Sequence, residues 1–171
     1  MKGRLVINAD DMGLSPEINA GILRGLERDC ISDTSVLTGA PHAFTAVDGL
    51  KRLGITHAGI HINLDAILGW SPGGHELLPR TVLMDKLEEG TLSGACEEEA
   101  RHQIDVFLST GLSLSHLDTH HHVHGFFPVF EIIVRLAGEY RIPCLRFSPN
   151  GYRLTTREDI PFDEATYSRM H

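Results

Sequence analysis

Apolar and polar positions along the chain alternate between two periods, which divides it into short β-like runs separated by helical ones. Residues 4–9, RLVINA, form an apolar run rich in β-formers and read as a buried strand. Ser15-Pro16-Glu17 then marks a helix start, with Ser15 as N-cap and Pro16 at the first helical position. Ile18, Ile22, Leu23 and Leu26 continue at helical spacing. Residues 33–38 (DTSVLT) predict a second strand, 41–53 a second helix led by Pro41, and 57–64 (HAGIHINL) a third strand. A Gly/Pro-rich loop, ILGWSPGGHELLP, covers 67–79. Helices over 81–89 and 93–110 follow, the latter with Ala95, Ile104, Phe107 and Leu108 as its expected apolar face. Its Glu97–Glu99 run is placed in the first turn, where the helix dipole favours negative charge. A fourth strand over 112–119, a helix over 127–140 and a short strand over 143–147 complete the pattern.

Alternation of this kind predicts an α/β fold with a parallel sheet and helices packed outside it, as one domain over residues 1–171. Reactive groups then belong at the carboxyl ends of the strands. Three chemistry-bearing stretches fall there: Asp10-Asp11 after the first strand, His61 late in the third, and SHLDTHHHVH (115–124) closing the fourth.

Composition narrows the partners. With 42% hydrophobic and 22% charged residues, the chain can bury a core without disulfide support. A net charge of −8, with both signs mixed along the sequence, argues against nucleic acid or anionic membrane as partner. Cys30, Cys96 and Cys144 are widely separated and read as reduced thiols of a cytoplasmic protein. The start, MKGRLVINADD, is too short and too acidic for a signal peptide, and no apolar run reaches the length of a membrane span.

The histidine cluster carries the strongest chemical signal. If the fourth strand continued through it, His116, Asp118, His120, His122 and His124 would share one face. A strand rises about 3.3 Å per residue, so they cannot all reach one ion. One or two can be ligands, and the others orient ligands, move protons or touch substrate. The competing reading is a surface histidine tract, which the interleaved aspartate and the preceding strand disfavour. Asp10 and Asp11 repel one another unless a cation lies near, and their different directions suit one ligand and one base. His61, between Ile60 and Ile62, is either a core histidine or a third contributor. One carboxylate with two imidazoles suits Zn2+, Fe2+, Co2+ or Mn2+, with Mg2+ also compatible. Trp70, in the glycine-rich loop, either packs the loop back or stacks on a sugar ring.

INADDMGLSPEIN, GIHINL and SHLDTHHHVH, in that order, resemble the YdjC-like carbohydrate deacetylases, which include chitooligosaccharide deacetylases. The resemblance implies an irregular (β/α) barrel of the polysaccharide-deacetylase type. It also implies an N-acetyl-removing hydrolase that acts on a small carbohydrate, such as N-acetylglucosamine oligomers, through one divalent metal ion. By that pattern Asp11, His61 and His120 are the metal ligands and Asp10 the general base. His116, Asp118, His122 and His124 line the site or orient ligands, and Arg146 is the basic residue beside it. Family members carry a late His-Pro motif as a source of the catalytic acid; here a site histidine, His122 or His124, is expected to give the leaving amine its proton. Members of the family run longer, through further βα units. A complete (β/α)8 barrel takes about 250 residues, whereas the pattern here supplies five strands. The barrel is therefore expected to be incomplete at its C-terminus, and an open sheet edge implies a homo-oligomer, simplest as a dimer. The alternatives are a metal-dependent phosphoesterase or amidohydrolase, and an inactive metal- or sugar-binding remnant.

Overall fold

The computed structural model describes residues 5–68, 85–87 and 89–146. Four parallel strands form one sheet in the order β1 (Asn8–Met12), β2 (Asp33–Val36), β3 (His57–Ile62), β4 (Ser113–Thr119). Spatial order equals sequence order, with no reversal, which is how the wall of a (β/α) barrel is laid down. The helices between them are α1 (Pro16–Glu27), α2 (Ala43–Arg52), a single turn α3 (Asp65–Leu68) and α4 (Ser93–Ser109). After β4 a tight turn over His120–Gly125 leads into α5 (Phe127–Glu139). The expected alternation and mixed α/β class hold. The apolar sides of β2–β4 and of the helices meet in one core that includes Ile60, Ile62, Ile104, Phe107, Leu117 and Ile133.

Several boundaries follow the local chemistry. Ser15 caps α1 as expected: its Oγ accepts from Ile18 N at 3.3 Å, and Pro16 opens the helix without needing a donor. Of the strand expected over 143–147, the described residues 143–146 contribute only a bridge, Leu145 to Leu117, yet that bridge sets Arg146 N on Leu117 O at 3.0 Å.

Other expectations are corrected. β1 begins at Asn8 rather than residue 4, and Leu5, Val6 and Ile7 are exposed at 82%, 65% and 49%. β1 is an edge strand among the described residues, so its entry has no second neighbour to bury it. In α4, Ala95 is exposed and Leu108 is 42% exposed, while Cys96, Ala100, Ile104 and Phe107 form the buried face. The Glu97–Glu99 run lies beyond the first turn, and Glu97 instead pairs with Arg135 of α5, Nη2 to Oε2 at 2.8 Å. Ile67 and Leu68, expected to open the loop, belong instead to α3 (Asp65–Leu68), and the rest of the 67–79 stretch lies outside the described residues. The expected helix over 81–89 is described only in part, and Trp70 lies outside the described residues.

Candidate metal centre

The sheet's carboxyl edge collects polar groups because β1, β3 and β4 each carry one near that end: Asp10 and Asp11, His61, and Thr119 before His120. Asp10 and Asp11 are consecutive, so an undistorted strand would send them to opposite faces. Asp11 adopts a left-handed backbone (φ 65°), and the β1–β2 register shifts between Ala9 and Met12. The irregularity re-aims Asp11 so that both carboxylates reach the same side. Gly13 follows at φ 109°, where an added Cβ would lie 3.0 Å from Ala43 Cα and 3.1 Å from Leu37 O. Its N–H donates to Asn19 Oδ1 at 2.7 Å, which fixes the turn to α1.

Asp11, His61 and His120 meet. Asp11 Oδ1 lies 3.2 Å from His61 Nε2 and 2.9 Å from His120 Nδ1, and the two imidazole nitrogens are 3.4 Å apart. Donor atoms about 2.1 Å from a common ion stand roughly 3.0–3.4 Å from one another, so the triangle fits a divalent cation. His61 Nδ1 donates to Asp118 Oδ1 at 2.6 Å, which leaves the Nε2 lone pair directed at Asp11. Asp11 Oδ1 is buried and, among the described residues, faces only the two imidazole nitrogens. Lone pairs converging in this way repel unless a cation or proton lies among them. Without a metal the proton settles on His61. Burial opposes its charge, but hydrogen bonds to Asp11 and Asp118 prevail and push its pKa up to about 9. The hydrogen bond to His61 holds Asp11 below the usual carboxylate range, against burial. Burial pulls His120 down, helped by its neighbour His121.

Asp10 is placed differently. Arg146 grips it with Nη1–Oδ2 and Nη2–Oδ1 both at 2.7 Å, and Asn8 Nδ2 donates to Oδ1 at 2.8 Å. Burial alone would raise the Asp10 pKa, yet Arg146 and Asn8 bring it down to about 2. Arg146 Nη2 also reaches Asp118 Oδ2 at 2.9 Å, and Ser35 Oγ donates to the same oxygen at 3.0 Å. Asp118, 1% exposed, thus joins His61 to Arg146 and, through it, to Asp10.

The histidine cluster does not follow the extended parity. β4 stops at Thr119, and His121 and His122 both take left-handed backbone, φ 52° and 53°. Thr119 Oγ1 closes the turn, accepting from His124 N at 3.2 Å and lying 2.5 Å from its Nδ1. His120 faces the centre, whereas His124 is 2% exposed, and burial with His122 nearby drops its pKa to about 4. His122 is exposed, with its ring 5.9 Å from that of His124. His116 lies deeper, Nδ1 3.5 Å from Asp33 Oδ2 and Nε2 3.9 Å from Asp118 Oδ2. Its ring occupies the space over Gly59, where a Cβ would fall 2.2–2.7 Å from ring atoms.

Sequence reasoning missed Ser35, Asp65 and His121. Asp65 Oδ2 lies 3.6 Å from His121 Nε2 and 3.9 Å from His120 Nε2, a second donor group that shares His120. The parity argument sent His121 to the far face; only the kinked backbone returns it. A cavity of about 410 Å3 opens beside His120, bordered by Leu37, Asn63, Asp65, Glu99 and Gln103.

Fold and site together define a parallel α/β protein with a carboxylate–imidazole centre at the carboxyl ends of its strands. The chain belongs to the YdjC-like protein family, whose model it matches over residues 4–169. Among curated relatives it is 35% identical over 165 residues to the carbohydrate deacetylase of Halalkalibacterium halodurans, covering 88% of this chain and 68% of that one. It is 35% identical over 151 residues to the carbohydrate deacetylase of Clostridium beijerinckii, covering 86% of this chain. This chain spans 62% of the length of that second relative. A crystal structure from Enterococcus faecalis V583, of a protein provisionally described as a cellobiose-phosphate cleavage protein, superposes with a TM-score of 0.66 at 23% identity. That match covers 94% of this chain and 69% of the other, and supports the fold.

Proposed function

We propose that the chain is a divalent-metal-dependent hydrolase that removes N-acetyl groups from amino sugars such as N-acetylglucosamine oligosaccharides. The observation that carries this is the triangle of Asp11 Oδ1, His61 Nε2 and His120 Nδ1, with sides of 2.9–3.4 Å, next to an independently held carboxylate. Relatives that are carbohydrate deacetylases supply the substrate class. Asp11, His61 and His120 would hold the ion, and the donor set suits Zn2+ as well as Mg2+, Mn2+, Co2+ or Fe2+. When bound, such an ion polarises a carbonyl and lowers the pKa of water.

The remaining roles fall to the chain's own groups. Asp118 fixes the His61 tautomer and so keeps Nε2 free to ligate. Asp10 accepts a proton from the attacking water. Arg146 keeps it ionised and aimed, at the cost of basicity. The leaving amine takes a proton from His122, which is exposed, rather than from His124, which is buried and neutral. The amide C–N bond breaks, water supplies the acetate oxygen, and a free amino sugar leaves. Acetate release from N-acetylated chitooligosaccharide, with and without added divalent metal, tests the reading. Metal binding without acetate release would favour a non-catalytic remnant.

A second reading, a two-metal phosphoesterase or amidohydrolase, draws on the Asp65–His120–His121 group. Metal stoichiometry separates them: one ion per chain for the deacetylase, two for the alternative. We further infer a homo-oligomer from the exposed Leu5, Val6 and Ile7 beside edge strand β1, and cytoplasmic residence from three free cysteines. Among the described residues no helix is long and apolar enough to cross a membrane.

A further inference from the structure

We propose that Asp65 is a positioning residue of the metal centre: its carboxylate accepts a hydrogen bond from His120 Nε2 and so keeps the His120 Nδ1 lone pair directed at the ion. This rests on Asp11, His61 and His120 as the metal ligands, and it names a side chain that acts through one of them.

A neutral imidazole carries one ring proton, so the nitrogen that ligates is the one without it. The two imidazoles of the centre present different nitrogens to Asp11 Oδ1: His61 its Nε2 at 3.2 Å, His120 its Nδ1 at 2.9 Å. Their protons therefore belong on opposite atoms, Nδ1 in His61 and Nε2 in His120. Each of those atoms faces a carboxylate. His61 Nδ1 lies 2.6 Å from Asp118 Oδ1, and His120 Nε2 lies 3.9 Å from Asp65 Oδ2. The arrangement is reciprocal. β4 and the turn after it carry ligand His120 together with Asp118, which orients His61. β3 and the turn after it carry ligand His61 together with Asp65, which orients His120.

Asp65 is held beside the ring it serves. Its N–H donates to Asn63 Oδ1 at 2.8 Å. Asn63 is itself tied to α4: its N–H donates to Gln103 Oε1 at 2.9 Å, and its O accepts from Gln103 Nε2 at 2.6 Å. Leu64 and Leu68 are buried on either side of Asp65 and anchor the turn. The carboxylate is mostly buried, and Oδ1 has no hydrogen bond among the described residues. A buried carboxylate gains from a polarised N–H donor, and a cation on Nδ1 makes the opposite N–H of the ring such a donor. The 3.9 Å separation exceeds the roughly 2.8 Å of a charge-assisted N–H···O bond by about 1 Å, so the proposal requires a small turn of the Asp65 side chain. His121 shares the carboxylate, with Nε2 3.6 Å from Oδ2 and its ring 3.9 Å from that of His120. Two carboxylate oxygens serve the two rings.

Calorimetric titration of the full chain with Zn2+ tests this, alongside long-range proton–nitrogen spectra of its nitrogen-labelled histidines. In the Zn2+-loaded wild type one ion is expected per chain, with the His61 ring proton on Nδ1 and that of His120 on Nε2. Asp65→Asn should weaken Zn2+ binding at least about tenfold and move the His120 ring signals, while those of His61 stay in place. Asp65→Glu, which restores the charge on a longer arm, should recover most of the affinity. The proposal is overturned by a folded Asp65→Asn protein that binds Zn2+ as tightly as the wild type, or by a His120 proton found on Nδ1. Weaker binding with unmoved His120 signals also overturns it, since Asp65 would then act on the fold at large. So does a second ion in the wild type that Asp65→Asn loses, because Asp65 would then be a ligand. Should Asp65→Asn fail to fold, Asp65→Ser is read by the same two measures. A wild type that binds no Zn2+ sinks the metal centre and this proposal with it, whereas the other adverse results remove only the role of Asp65.

Discussion

Asp118→Asn probes the centre without touching a proposed ligand. The substitution is isosteric, so no cavity opens at a position that is 1% exposed. Asp118 Oδ1 accepts from His61 Nδ1, and Oδ2 accepts from Ser35 Oγ at 3.0 Å and Arg146 Nη2 at 2.9 Å. If the amide oxygen stays on His61, the NH2 meets Arg146 donor to donor. If the amide flips, His61 must move its proton to Nε2 and loses the lone pair aimed at Asp11. Either way the imidazole is no longer held as a ligand by an anion. Loss of such a partner typically weakens metal binding about 10–100-fold, or roughly 1.4–2.8 kcal/mol. Arg146 keeps both contacts to Asp10, so the stability cost should stay near about 1–3 kcal/mol and the variant should fold. Titration calorimetry with Zn2+ or Mn2+ gives the affinity, and urea unfolding gives the stability. A folded Asp118→Asn protein that binds metal like the wild type would refute the assignment of His61 Nε2 as a ligand oriented by Asp118.

Asp10→Asn should leave metal affinity within a small factor of wild type and lower acetate release by about 10²–10⁴-fold, checked by parallel calorimetry and acetate assays. For the metal-free protein, His61 has its pKa raised from 6.5 to about 9 by folding. Its stabilisation is complete below pH 6.5 and is lost as pH rises through 9, so Tm should fall across that window and saturating metal should suppress the fall. Gly59→Ala drives a methyl into the His116 ring and should cost about 1–3 kcal/mol, read as a lower urea midpoint at unchanged m-value. Ser15→Ala removes the α1 cap and should cost about 0.5–2 kcal/mol with metal affinity unaltered.

Much of the framework was legible because it is local. The cap at Ser15, the helical spacing of Ile18 and Ile22, and the short strand-like runs of β2 to β4 are written within a few residues of one another. So was the gathering of Asp10, Asp11, His61 and the histidine cluster at strand ends, since alternation alone places strand termini on one edge of a parallel sheet. Which side chains meet there was not local. Asp10 and Arg146 are 136 residues apart, and no periodicity ties them. The left-handed backbone at Asp11, His121 and His122 breaks the two-residue alternation that sequence reasoning depends on. The sequence by itself determined the order of strands and helices and the stock of ligating groups. Only the tertiary structure decided their partners, because register, kinks and burial set whether a carboxylate faces an imidazole, a guanidinium or an open cavity.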